Sequence, residues 1–341
     1  LLIIMAYSNS ASLWAERLSK TLNGIPGLAG FLLKLIRWYA IHKELTPEII
    51  KKLTFGVRMI IRSQAKAIIR TPSGLVFNAF DQSQYVNQIL LLKGTHMEYC
   101  WEPNGSRLLA DLIRPDDHIV VAGANIGFET VLIGSRLRSG KGVCYAFEPI
   151  KGNYQILREN IALNGLENKI KTYPIALSDT DTECWMLSAG PNSSLLFVNE
   201  EVNRQKVSVR RLDTLWDEGN IELISGLVAD VEGYEYETIT GAERLLFASP
   251  LRFLLFEVNG KTEEVSSGKT GRLLLYLAEK GFRLFAIPDD YRGFQKPSAE
   301  RKRLIRILDP TAPFVLPDRW FNVLAVPEQA FLELSELVVY E

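Results

Sequence analysis

The chain has 341 residues, 47% apolar and 23% charged, with a formal net charge of −1. That is ample material for a hydrophobic core, and so even a charge balance argues against a protein that lives on phosphate backbones, so no nucleic-acid partner is expected. Three cysteines and three histidines, none at disulfide-framework or metal-ligand spacing, argue against a cysteine scaffold and a histidine metal centre, and reduced thiols fit a cytoplasmic protein.

Leu1 to Met5 is apolar but too short for a signal-peptide core and lacks a basic flank. Residues 12 to 70 carry apolar positions every three or four residues, which predicts helices. Among them Phe31, Leu32, Leu35, Ile36 and Tyr39 share one stripe, with Lys34 and Arg37 off it. Those two charges and Pro26 argue against a membrane-spanning helix. The stripe must find cover on the rest of the protein, on a second copy, or on a lipid surface. Arg37, Lys43, Lys51, Lys52, Arg58 and Arg62 would suit anionic headgroups, whereas the interspersed Glu44 and Glu48 suit a solvated face. Packing on protein is the main expectation, and a homo-oligomer and peripheral membrane contact both stay open. Thr46-Pro47-Glu48 starts a helix, Thr71 to Gly74 forms a turn, and Leu75-Val76-Phe77 forms a short strand. Residues 1–95 therefore read as a mainly helical extension with a short β segment.

Residues 96–341 read as a separate α/β domain, because from about residue 104 short apolar runs alternate with amphipathic helices, as in parallel βαβ units. The expected strands are His118 to Ala122, Val143 to Phe147, Ile170 to Ile175, Gly226 to Ala229, Phe253 to Phe256, Phe282 to Ile287 and Asn322 to Val326. Helices are expected to about Arg138, over Asn153 to Leu163, over Tyr234 to Phe247 and over Thr270 to Lys280. Residues 182 to 211 suggest local β structure, and the Pro- and Arg-rich run from Pro288 to Arg319 is an insertion. Seven strands with helices between them make a Rossmann-like doubly wound sheet. Ligands of such sheets sit past the carboxyl ends of the strands, where strand order reverses. Asn125, Glu148, Asp230, Glu232 and Glu257 each follow an apolar run, so they should converge on one cleft.

Gly123 and Gly127 flank the first strand-to-helix turn, where glycine allows a tight bend and close approach of a ligand. Their Gly-x-x-x-Gly spacing departs from the nicotinamide fingerprint, which makes an oxidoreductase a poor reading. Glu148, ending the second strand, can accept hydrogen bonds from both hydroxyls of a ribose, or can simply be an exposed Glu before a proline turn. Ser178 and Asp179 follow the third strand and could meet an adenine amino group or form a solvated turn. Asp230 and Glu232 flank a turn and could act as a general base, a metal pair or helix-start caps. No metal is expected, because acidic ligands are few and no histidine supports them.

These residues carry a resemblance. Val120 to Gly127, Ala146 to Pro149, Asn160 to Asn164, Ala176 to Asp179 and Asp230 to Glu235 resemble, in order, the motifs of the FkbM family of methyltransferases, with Trp101-Glu102-Pro103 similar to its upstream segment. The resemblance implies a class I fold with S-adenosylmethionine as donor. It also implies O-methylation of a hydroxyl on a sugar, glycan or secondary metabolite. The cofactor residues it implies are Glu102, Gly123, Ala124, Asn125, Gly127, Glu148, Ser178, Asp179 and Asp230. An alcohol acceptor gains from a base; Asp230 comes first, then Glu232 and Glu257, with His96 a lesser candidate. Two positions depart from the family pattern. Val121 replaces an Asp two residues before the loop's first glycine, and Val228 replaces a Lys two residues before Asp230. They motivate a second reading, a binding protein that keeps the fold without turnover.

Overall fold

A computed structural model describes residues 31, 35, 68–70, 74–78, 103–187, 204–259, 269–287, 304–309 and 320–335. The chain divides into two units, residues 1–103 with 292–297, and residues 104–291 with 298–341. In the first, β1 (Ile68–Arg70) pairs antiparallel with β2 (Val76–Asn78), Ile68 opposite Asn78. The strand at 76–78 agrees with the expected β segment, but Ile68–Arg70 is strand where a helix end is expected. A hairpin partner overrides helical spacing in so short a run. Gly74 lies in the left-handed region at φ +90. Phe31 and Leu35 are helical and exposed; the rest of their stripe lies outside the described residues.

The second unit opens with α1 (Pro103–Leu112). It continues through β3 (His118–Ala122), α2 (Phe128–Arg136), β4 (Val143–Phe147), α3 (Lys151–Leu163) and β5 (Ile170–Tyr173). Next come β6 (Ala176–Leu177), β7 (Thr182–Leu187), β8 (Arg204–Arg210), α4 (Leu212–Asp217), β9 (Gly226–Ala229), α5 (Glu235–Thr240) and α6 (Glu243–Ala248). It closes with β10 (Phe253–Asn259), α7 (Lys269–Glu279), β11 (Phe282–Ile287), β12 (Ile305–Ile307), β13 (Trp320–Pro327) and α8 (Glu328–Leu334). Eight strands form one sheet in the order β12-β11-β13-β10-β9-β3-β4-β5. From β5 to β10 neighbours run parallel, and β13 then pairs antiparallel with both β10 and β11. The central strands are buried on both faces, which is why they appear in sequence as unbroken apolar runs. Val120, Phe147, Leu227 and Phe256 share a single core cluster with Leu245 and Leu274 of the covering helices. Strand order reverses between β3 and β9, which places the switch point at their carboxyl ends.

Several expectations need correction. The sheet has eight strands, not seven; the extra one, β12, comes from the 288–319 insertion and pairs with β11. The third strand stops at Tyr173, and Ala176–Leu177 joins β8 and β7 in a separate three-stranded sheet, the local β structure expected over 182–211. The single helix expected over 234–247 is two, broken at Gly241. A Cβ there would lie 2.0 Å from the Ser178 carbonyl oxygen, so close backbone approach interrupts the helix. β10 continues through Glu257 to Asn259 because β13 pairs with it along that length. No described helix is long and apolar enough to cross a membrane.

Candidate active site

The loop after β3 is shaped by the chain's own contacts. Gly123 adopts φ +78, and a Cβ there would lie 1.8 Å from the carbonyl oxygen of Asp230. Gly127, at φ +95, precedes α2, and its Cβ would press to 2.7 Å from Leu157 Cδ1. The approach that demands glycine at these positions is therefore made by protein, not by a ligand. Between them Asn125 is left-handed at φ +49. Its N–H donates to Glu148 Oε2 at 2.8 Å, and the Ile150 N–H donates to Glu148 Oε1 at 2.8 Å. Glu148 is buried, 4% exposed, so it is not a solvated turn residue. Oε2 accepts one backbone N–H and retains a second lone pair, whereas Oε1 accepts both the Ile150 N–H and, at 3.5 Å, the Asn153 side-chain amide.

The turn after β9 mirrors this arrangement. Glu232 is left-handed at φ +53, the other described non-glycine residue with positive φ. Such a conformation costs about 1–3 kcal/mol and persists only where surroundings enforce it. Enforcement comes from the buried Glu235, whose Oε1 accepts the N–H groups of Val231 at 3.0 Å and Gly233 at 3.2 Å. Glu235 thereby fastens the turn, while the start of α5 has no side-chain cap: neither Glu232 nor any other side chain caps it.

An open cleft enclosing about 610 Å³ of non-protein space lies between these loops. Gly123, Asn125, Glu148, Asn153, Asp230 and Glu232 form its polar wall, and Ile150, Ile175, Leu177, Met186 and Val231 are among the residues of its apolar wall. No Lys, Arg or His is among the lining residues. Asp230 keeps an exposed surface, yet the surrounding protein desolvates it and pushes its carboxyl pKa up. Desolvation, then the charge of Asp230, raises Glu129 to about 7, and desolvation raises the buried Glu148 and Glu235 to about 7 against their backbone hydrogen bonds. Glu232 is raised by desolvation and by the charges of Asp230 and Glu235. Among the described residues no group of three His, Cys, Asp or Glu is placed to hold a metal. A wall of this kind offers acceptors to hydroxyls, attraction to a cation, and an apolar slot for a flat ring.

Of the residues singled out in sequence, Gly123, Asn125, Glu148, Asp230 and Glu232 meet at the cleft. Ala124 is buried behind the loop, and Gly127 serves the start of α2. Ser178 and Asp179 are not lining residues. The Ser178 N–H donates to the Arg210 carbonyl and the Ser178 hydroxyl to Asp179, while Ala176 and Leu177 supply that wall. Glu257 lies inside β10, opposite Asn322 of β13, rather than past a strand end. Glu102 and His96 lie outside the described residues. Sequence reasoning missed Glu129, Glu235 and Asn153. Glu129 and Glu235 sit two residues past Gly127 and Gly233, a spacing that puts an acid in the first turn of the following helix.

Residues 122–284 match a family model described as the methyltransferase FkbM domain. Their fold is the class I methyltransferase fold; of the parallel strands, β4, β5, β9 and β10 fall within the match and β3 reaches it at Ala122. Among solved structures, the chain resembles methyltransferase FkbM from Methylobacillus flagellatus KT at 17% identity, TM-score 0.41, over 72% of this chain and 54% of that one. The chain thus spans about half the length of that relative. An O-methyltransferase from Bacillus cereus in complex with SAH aligns at 15% identity and TM-score 0.38, over 66% of this chain and 80% of that one. A SAM-dependent O-methyltransferase from Thermotoga maritima aligns at 16% and 0.39, over 76% and 77%. No curated protein matches the sequence.

In the sheet the two departures from the resembled pattern meet. Val121 and Val228 are register partners on β3 and β9, both buried. Parallel register puts them side by side on one face of the sheet, opposite the face of Val120 and Leu227. Where the family carries an acid and a base, this chain carries a pair of apolar neighbours.

Proposed function

We propose that the chain is an S-adenosylmethionine-dependent methyltransferase that methylates the oxygen of a hydroxyl on a sugar, glycan or secondary metabolite. The observation carrying it is the Glu148 carboxylate, buried at the switch-point cleft and anchored by the Asn125 and Ile150 N–H groups. The lone pair left on Oε2 suits a ribose hydroxyl, and the long 3.5 Å Asn153 contact on Oε1 is weak enough to yield to the second. Ile175, Leu177 and Met186 offer the apolar slot an adenine ring needs, and the acidic wall suits a sulfonium and an ammonium. The donor, when bound, supplies a methyl group already activated on sulfur. The protein's part is to bind, align and exclude water. Asp230 opens onto the cleft with a pKa drawn toward neutrality, the range in which a carboxylate can take a proton from an alcohol. Glu232, on the same turn, is the next candidate base; Glu257, inside β10 and not among the lining residues, drops from the set.

Titration calorimetry with S-adenosylmethionine tests the donor, and micromolar affinity is the expected result. Absence of binding at millimolar ligand would reject it. A second reading, a binding protein without turnover, is motivated by the Val121–Val228 pair. It requires micromolar binding together with no methyl transfer to any hydroxyl-bearing acceptor in a library of sugars and glycans.

A further inference from the structure

One helix ties Glu148 to the Asn125 loop in the cleft's polar wall. α3 begins directly after Glu148-Pro149-Ile150, and its first turn carries Asn153, whose side-chain amide lies 3.5 Å from Glu148 Oε1. Seven residues on, two helical turns later and on the same face, stands Asn160. It is fully buried, and its Nδ2 donates to the carbonyl oxygen of Ile126 at 2.7 Å. Leu157, between them, touches the loop at Gly127. Ile126 directly follows the left-handed Asn125, whose N–H is one of the two backbone donors to Glu148. The bonds close a ring. Glu148 is tied to the start of α3 through Ile150, α3 is tied to the loop through Asn160, and the loop is tied back to Glu148 through Asn125.

We infer that Asn160 is a positioning residue for the ligand site: its bond to Ile126 holds Asn125 left-handed and so keeps the Glu148 carboxylate aimed into the cleft. The inference rests on the donor reading given above. Asn160 touches no ligand and acts only through Asn125 and Glu148. An isolated left-handed asparagine is a minor conformer. Without a donor clamp on the next carbonyl, the loop can relax toward ordinary φ and withdraw the N–H from Glu148. An amide suits the role because a completely buried donor has no water to fall back on.

The test compares Asn160→Ala with Asn164→Ala in the full chain. Asn164 is a matched control: its side-chain amide donates to the Asn160 carbonyl at 2.7 Å at the end of the same helix, away from the loop. Asn160→Ala should weaken S-adenosylmethionine binding about tenfold by calorimetry, the scale of one buried hydrogen bond. It should also speed amide exchange at Asn125 in the ligand-free protein. Asn164→Ala should lower the melting temperature and leave both readouts in place. In a Glu148→Gln background Asn160→Ala should cost little further affinity, because two residues acting through one contact are non-additive. Should Asn160→Ala lose its cooperative melt, Asn160→Ser carries the same comparison with a small polar group kept. Wild-type binding with unchanged affinity and exchange in the Asn160 variants overturns the inference alone. Wild-type protein that binds no S-adenosylmethionine overturns the donor reading, and the inference with it.

Discussion

The two ends of the central sheet treat acidic side chains in opposite ways. At the amino end, before β3 and β10, Asp117 is buried against Arg252 at 2.7 Å, and the same guanidinium nitrogen donates to the Leu112 carbonyl at 2.6 Å. Glu333 of α8 joins through Arg252 and Arg114. At the carboxyl end, desolvation and then the charge of Asp230 raise the pKa values of Glu129, Glu148, Glu232 and Glu235, desolvation raises that of Asp230, and no basic residue lines the cleft. One end neutralises its charge to hold the fold. The other accumulates charge of one sign, a state that raises the energy of the empty protein and is relieved by protons or a cationic ligand.

The sharpest break of that contrast is at the amino end. Arg252→Ala should cost about 3–5 kcal/mol, because it leaves Asp117 buried without its cation. Denaturant unfolding measures it, and a loss under 1 kcal/mol would mean that the network is decorative. At the carboxyl end, Asp230→Asn should lower turnover about 100-fold with S-adenosylmethionine affinity within a few-fold of wild type. A parallel loss of affinity would recast Asp230 as a binding residue. Glu148→Ala should weaken S-adenosylmethionine binding by about 1–3 kcal/mol, and unchanged affinity in a folded variant removes it from the ribose site.

The smallest effect is on pH and stability. Glu129, Glu148 and Glu235 have folded-state pKa values of about 7, above the ordinary 4.5. Between those values the folded state binds more protons than the unfolded one, so this contribution to stability is fully present below pH 4.5 and is lost as pH rises through 7. The ligand-free protein should therefore melt higher at pH 5.5 than at pH 8. Asp230→Asn should flatten that slope and raise the melting temperature at pH 8, by about 2–4 °C for each kcal/mol of repulsion relieved. A steeper slope in the variant would contradict the mutual repulsion.

Sequence and structure agree best where one physical rule governs. His118–Ala122, Val143–Phe147 and Gly226–Ala229 were legible to the residue, since a strand buried on both faces leaves no polar position until it ends. The same rule misplaces the end of β10. Glu257 breaks the apolar run, yet pairing with β13 carries the strand on to Asn259. The split of α5 from α6 depends on a carbonyl at Ser178, more than sixty residues away, which no local pattern encodes. β12 consists of three partly exposed residues in an insertion and has no periodicity to read. In the site, Glu148 and Asp230 were legible because strand ends point to them. Glu129 and Glu235 were not, because an acid in a first helical turn is ordinary and only the fold reveals that theirs face other acids.

The side-by-side valines at 121 and 228 couple the substitutions that each position can accept. A lone aspartate restored at 121 would sit buried against Val228, and a lone lysine at 228 would sit buried against Val121. Each single reversal puts an unpartnered charge among methyl groups, a change of several kcal/mol in the wrong direction. Only the double reversal supplies each charge with its neighbour. The two positions are therefore epistatic: either charge alone should cost more stability than the pair together, which unfolding of the two single variants and the double would show.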